Sequence, residues 1–206
     1  MASSSSSPSS SSPIVARPLT VEVAHPKLGI ISPLLTNSRT KVGNQGTSTK
    51  TPDIVPCTNT YHLSPSGRAG RPVMSSSRNK PRETIPVDNG DDRVELRELQ
   101  VSVLERHPYS SQSFMPMGGD EEVSYVVLVA DSDQTGTRPD LSTVRAFTVL
   151  GNQGVCYDAG LWHAPMAVVG KTMDFAIFQF MNGVDEEDCE MVDLSEPVRI
   201  LLSAEK

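Results

Sequence analysis

The chain has 206 residues, enough for one domain of ordinary size with a tail or for two small ones. A net charge of −7 argues against nucleic acid or an anionic membrane as the main partner. No apolar run is long enough for a transmembrane helix.

Residues 1–13, MASSSSSPSSSSP, are low-complexity and cannot bury a core. A disordered tail is therefore expected over 1–16, with a single domain over 17–206. The Ser-rich, acid-free start with Arg17 also has the composition of a transit peptide, which sets organellar targeting beside the simpler cytoplasmic expectation. Between 18 and 93, short β-like pieces (LTVEVA, LGIISPLL) alternate with Gly, Pro, Asn and Ser turns, without helical periodicity. The run from Ser64 to Asp92 is polar, rich in Pro and Gly, and reads as containing a long loop that holds Arg78 and Arg82. Cys57, Cys156 and Cys189 are odd in number and lack CxxC spacing. They fit free thiols in a reducing compartment, used as small apolar side chains.

From Val94 onward the pattern sharpens. ELQVSVLE (98–105) alternates apolar and polar, as a half-buried strand does. A period of 2 puts Leu99, Val101, Val103, Glu105 and His107 on one face. If Leu and Val turn that face inward, Glu105 and His107 follow. A buried carboxylate and imidazole are costly unless paired, metal-bound or used in chemistry. YVVLVA (125–130) is a continuous apolar run, suited to a strand covered on both faces. SDQTGTRPD (132–140) reads as a loop, TVRAFTVL (143–150) as a strand and GNQG (151–154) as a turn. VCYDAGLWHAPMAVVG (155–170) carries two strands about a kink at Gly160, and DFAIFQFM (174–181) is a further strand closed by Asn182-Gly183. The acidic DEEDCE (185–190) is most simply a solvated edge or loop. LSEPVRILLS adds a last strand or a short helix. Short strands and regular turns predict an all-β, antiparallel sandwich or barrel.

The spacing Glu105-x-His107-x4-Gln112-x6-Gly119 matches the first cupin motif, with Glu in place of its first His and Gln in place of its Glu. Gly160-Leu-Trp-His163 supplies the Gly and His of the second motif. On adjacent strands these segments would gather Glu105, His107, Gln112 and His163 at the mouth of a small barrel. Two imidazoles, a carboxylate and an amide oxygen suit a divalent first-row ion, held with modest affinity because Gln is neutral. Spacing alone leaves hydrogen-bonded core histidines as an equally good reading.

Three segments carry a more specific resemblance: LERHPYSSQSFMPM (104–117), PDLSTVRAFTVLGNQGVCYDAGLWHAPM (139–166) and DFAIFQF with NGVDEEDC (174–189). Together they resemble the ureidoglycolate lyase family of the cupin superfamily, most clearly over 98–190. Upstream, NQGTSTK (44–50) resembles the family's Asn-containing segment, with Lys50 where an arginine is common, and SSSRNKP (75–81) resembles its arginine-carrying strand at Arg78. HPKLGII (25–31) only loosely echoes the family's aromatic opening.

The resemblance implies a cupin-type β-barrel, a homodimer, and cleavage of (S)-ureidoglycolate to glyoxylate and urea, stimulated by a divalent metal such as Ni²⁺. A mechanism the residues permit gives the proton transfers to Glu105 and His107, and has His163 share a metal with them or hydrogen-bond the substrate hydroxyl. Gln112 would orient the substrate and Arg78 would bind its carboxylate. Tyr157 and Trp162 complete the expected substrate-binding set, Trp162 most simply from beneath. Glu105, His107, Gln112 and His163 are the ligands if a metal is bound. The competing expectation is a non-catalytic barrel that binds a small carboxylate and releases no urea.

Overall fold

Strand Val123–Ala130 is apolar on both faces over 125–130 because it separates two cores, as the unbroken hydrophobic run there requires. The computed structural model describes residues 12–88, 90 and 94–205. Among them, one sheet of nine strands runs through Ile14–Val15, Glu190–Glu205, Val94–Arg106, Trp162–His163, Val123–Ala130, Arg145–Leu150 and Arg17–Pro18. Ala167–Val168 and Ile85–Val87 pair with Val123–Ala130 and Val94–Arg106 off that path. The second sheet orders Leu28–Ile31, Gly154–Tyr157, Gln112–Pro116, Met173–Met181 and Arg71–Asn79. Neighbouring strands are distant in sequence, so the chain crosses repeatedly between the sheets, as in a cupin-type jelly roll. The expected all-β, antiparallel architecture is present, with two short parallel pairings added by residues 14–18.

The main core lies between the sheets. Tyr125, Val127, Val129, Phe147 and Val149 face Leu28, Ile30, Phe114, Val155 and Phe175 across it. Phe175 sits edge-on to Phe114 and Tyr125, with ring centroids 6.0 and 5.4 Å away. The second core covers the outer face of the first sheet. There Val126, Leu128 and Ala130 pack with Leu99, Val101, Leu104, Trp162, Val198 and Ile200.

Several expectations are corrected. Ile14–Val15 pairs with Ile200 and Leu201, so the tail boundary at residue 16 falls inside the sheet; the Ser-rich residues 1–11 lie outside the described residues. LTVEVA is no strand: Ala24 N–H bonds back to the Thr20 carbonyl in a turn that leaves Val21 exposed. Within the supposed loop at 64–92, Arg71–Asn79 is a nine-residue strand paired along its whole length with Met173–Met181. It is an edge strand with a single neighbour and little to bury, so its polar composition gives no alternating signal. LSEPVRILLS belongs to the long strand Glu190–Glu205.

The odd-numbered face of 98–105 also fails to continue. The register against Glu190–Glu205 jumps between Val101↔Val198 and Val103↔Asp193. Leu99, Val101 and Leu104 therefore all reach the second core. Glu105, adjacent to Leu104, is released to the other side of the sheet. The irregularity is what aims Glu105.

Candidate active site

His163 occupies a two-residue strand, Trp162–His163, that opposes Glu105 on one side and Val129 on the other. The turn before it needs Gly160, whose φ of +76° lies where L side chains are strained. Its N–H donates to the carbonyl of His107 at 2.9 Å, so the glycine that turns the chain also ties His107 to His163. In a strand, successive residues face opposite ways. His163 points toward Glu105, with 3.6 Å between Nε2 and Oε1, while Trp162 points into the second core.

Both imidazoles are held by backbone carbonyls. His107 Nδ1 lies 2.7 Å from the Asp188 oxygen, and His163 Nδ1 lies 2.8 Å from the Leu161 oxygen. A carbonyl only accepts, so each Nδ1 carries a proton, and in the neutral ring Nε2 presents a lone pair. One ring nitrogen of each histidine and a Glu105 oxygen lie within 4.8 Å of one another. Neither Nε2 has a hydrogen-bond partner, though both are buried.

The second sheet supplies the opposite wall. Tyr157, Gln112 and Gln179 stand in one cross-strand row. The Gln112 amide nitrogen donates to Gln179 Oε1 at 2.5 Å, which leaves Gln112 Oε1 buried and unpartnered. Tyr157 stacks on His163 with centroids 3.9 Å apart and planes 8° from parallel. Five buried side-chain polar atoms among the described residues lack a partner. Three of them, His107 Nε2, His163 Nε2 and Gln112 Oε1, belong to these residues. Since buried polar groups are almost always paired, such a concentration marks a place built for a ligand.

Charge agrees with this geometry. Burial disfavours the Glu105 carboxylate, but the nearby His163, with His107 behind it, holds its carboxyl below the usual range. Burial and the neighbouring His163 depress His107, outweighing the Asp188 carbonyl and the Glu105 charge. At neutral pH the site therefore holds an ionised carboxylate beside a neutral His107. Burial and the Glu105 charge keep the Tyr157 hydroxyl protonated.

The structure thus brings together Glu105, His107, His163, Gln112 and Tyr157. It does not bring in two of the expected substrate-binding residues. Trp162 lies on the far face of its strand with the Arg106 guanidinium 4.6 Å from its ring centroid; Arg106 also binds Glu190, Ser132 and the Gly136 carbonyl. Arg78 pairs in register with Asp174 and binds it bidentately at 2.8 Å. Directly opposed residues share a face, so Val73 joins Gln179 and Gln112 on the inner face while Arg78 and Asp174 lie on the outer one. Lys50 stands on the exposed Lys41–Gly43/Ser48–Lys50 hairpin.

Sequence reasoning missed Gln179 and Asp188. Gln179 had a signal, since it continues the inward phase of Met173, Phe175 and Ile177. Asp188 had none. The acidic run expected to be solvated forms one helical turn, Asp185–Asp188, with Glu187 and Asp188 buried.

A family profile described as ureidoglycolate lyase matches residues 11–201. A Schizosaccharomyces pombe protein named ureidoglycolate lyase is 42% identical over 105 residues, covering 50% of this chain and 54% of its own. The Saccharomyces cerevisiae protein of that name is 50% identical over 96 residues, 43% and 48% of the two chains. An Escherichia coli K12 protein of that name is 40% identical over 98 residues, 48% and 57% of the two chains. The matched stretches span about half the length of these curated relatives.

Proposed function

This chain belongs to the ureidoglycolate lyase family, and from that premise we propose that it cleaves (S)-ureidoglycolate to glyoxylate and urea. The observation that carries the reading is the convergence of two imidazole Nε2 atoms, a carboxylate and an amide oxygen, three of these groups unpartnered though buried.

Ureidoglycolate is a hemiaminal: one carbon bears a hydroxyl, a carboxylate and the ureido nitrogen. A base removes the hydroxyl proton, the oxygen's electrons form the aldehyde, and the C–N bond breaks with its pair going to nitrogen. That nitrogen takes up a proton to give urea. One proton is lost and one gained, so the group that accepts the first can deliver the second. We assign this exchange to Glu105 and the Nε2 of His107, whose lowered pKa values keep both unprotonated at neutral pH. Gln112, held by Gln179, turns its oxygen toward the substrate and orients its N–H groups. His163, fixed by the Leu161 carbonyl and the Tyr157 ring, accepts from the substrate hydroxyl.

The donor set also fits a divalent first-row ion such as Ni²⁺. Glu105, His107, His163 and Gln112 would hold it, the two histidines already oriented through Nδ1 as metal ligands commonly are. When bound, such an ion would polarise a substrate oxygen and make its proton easier to remove. A homodimer in a cytoplasmic setting belongs to the same reading; the free Cys57, Cys156 and Cys189 thiols support a reducing compartment. Among the described residues, no helix is long and apolar enough to cross a membrane.

The test is product analysis from racemic ureidoglycolate before and after chelation, and with Ni²⁺ returned. Equimolar glyoxylate and urea from one enantiomer is expected. Ammonia in place of urea contradicts the reaction, and binding of a small carboxylate without turnover supports the non-catalytic barrel.

A further inference from the structure

Asp188 is fixed at both ends, and one end holds His107. We propose that Asp188 and Tyr61 are positioning residues that lock His107 in the tautomer presenting its Nε2 lone pair to the site. This role rests on the lyase reading above.

The side-chain end of Asp188 is held by three donors. Oδ1 accepts from the Tyr61 hydroxyl at 2.5 Å and from the Asn182 N–H at 2.8 Å, and Oδ2 accepts from the Gly183 N–H at 2.9 Å. The Asp188 N–H donates to the Val184 carbonyl at 2.8 Å. What remains is the Asp188 carbonyl, and it is the acceptor for His107 Nδ1 at 2.7 Å. The carboxylate therefore determines where the carbonyl stands, and the carbonyl determines which imidazole nitrogen carries the proton.

Tyr61 brings a third segment to this arrangement. It sits in the short 3₁₀ turn Tyr61–Leu63, its ring is almost wholly buried, and its hydroxyl also lies 3.2 Å from the Phe180 carbonyl. A hydroxyl has one proton, so the shorter contact, to a charged acceptor, is the stronger. Gly70 makes room for the ring: a Cβ there would lie 2.2 Å from Tyr61 Cδ2. Neither the Tyr61 hydroxyl nor the Asp188 carboxylate bonds to Glu105, His107, Gln112 or His163, so they act through the Asp188 carbonyl.

A role in mere stability predicts something different, and Glu187 provides the control. Its carboxylate braces the same turn through Ser66 N, Ser66 Oγ and Asn182 Nδ2, and makes no bond to Asp188's carboxylate or to His107. The experiment compares Tyr61→Phe, Asp188→Asn and Glu187→Gln in the full chain. Hydrogen exchange of the His107 Nδ1–H is read by nitrogen-edited NMR, and kcat and KM are read on ureidoglycolate. Tyr61→Phe and Asp188→Asn are expected to speed that exchange, and to lower kcat, about 10-fold or more with KM nearly unchanged. Glu187→Gln is expected to lower the melting temperature while leaving exchange and kcat alone.

Folded Tyr61→Phe and Asp188→Asn proteins with wild-type exchange would overturn the proposal. So would a Glu187→Gln protein whose exchange rises as much as theirs. If Tyr61→Phe does not fold, Asp188→Asn decides alone, since its amide oxygen can still accept from Tyr61. The NMR arm needs no substrate. A wild-type protein without lyase activity therefore removes the functional reading while the exchange data still decide the tautomer lock.

Discussion

Two sets of buried polar groups flank His107, and they are built on opposite principles. On one side, the Glu187–Asp188 turn meets its carboxylates with donors from Ser66, Asn182, Gly183 and Tyr61. On the other, His107 Nε2, His163 Nε2 and Gln112 Oε1 are equally buried and have no partner. A satisfied buried network holds a fold in one arrangement. An unsatisfied one costs stability and persists where a ligand completes it. The same imidazole belongs to both, bonded through Nδ1 to the first and open through Nε2 to the second.

Substitutions should separate the two sides. The largest effect is expected from His107→Ala, which removes a proton-transfer group and should lower kcat/KM by roughly 10²–10⁴-fold, measured on ureidoglycolate. Asp188→Ala strikes the satisfied side. It strands two backbone N–H groups and takes from the Tyr61 hydroxyl its shorter, charged contact, so denaturant unfolding should show a loss of about 3 kcal/mol or more.

The acid limb of stability gives a finer test. Burial opposes ionisation of Glu187, but Ser66 and Asn182 outweigh it and bring the carboxyl down to about 2. A folded-state pKa below the unfolded one contributes stability above the ordinary carboxyl value of about 4.3, lost as pH falls toward about 2. The stability difference between wild type and Glu187→Gln should therefore shrink as unfolding is measured down that range. The smallest effects are expected from Arg78→Ala and Trp162→Phe. Arg78 sits in an exposed ion pair on the outer face and Trp162 faces the second core, so neither should alter KM.

Much of the site is legible in the sequence. Glu105, His107, Gln112 and His163 follow from motif spacing, because two strands meeting at a barrel mouth fix which positions converge. YVVLVA announces its two-sided burial by composition. Glu105 does face His163, but strict alternation is not what puts it there, since the register jump after Val101 changes the face on which the strand's residues lie. The misplaced residues share a cause. Arg78, Trp162 and the 71–79 strand depend on register and face, which a polar edge strand or a two-residue strand does not encode in its own residues. Asp188 depends on Tyr61, a partner 127 residues away, which no local pattern can reveal.

The most direct measurement pairs turnover with stability in Glu105→Gln. A folded protein is expected, with stability modestly lowered because the lowered carboxyl pKa means the ionised form favours folding, and with turnover lowered by roughly 10²-fold or more because the carboxylate serves the reaction. Near wild-type turnover from a folded Glu105→Gln protein, or stability lost with turnover kept, would contradict it.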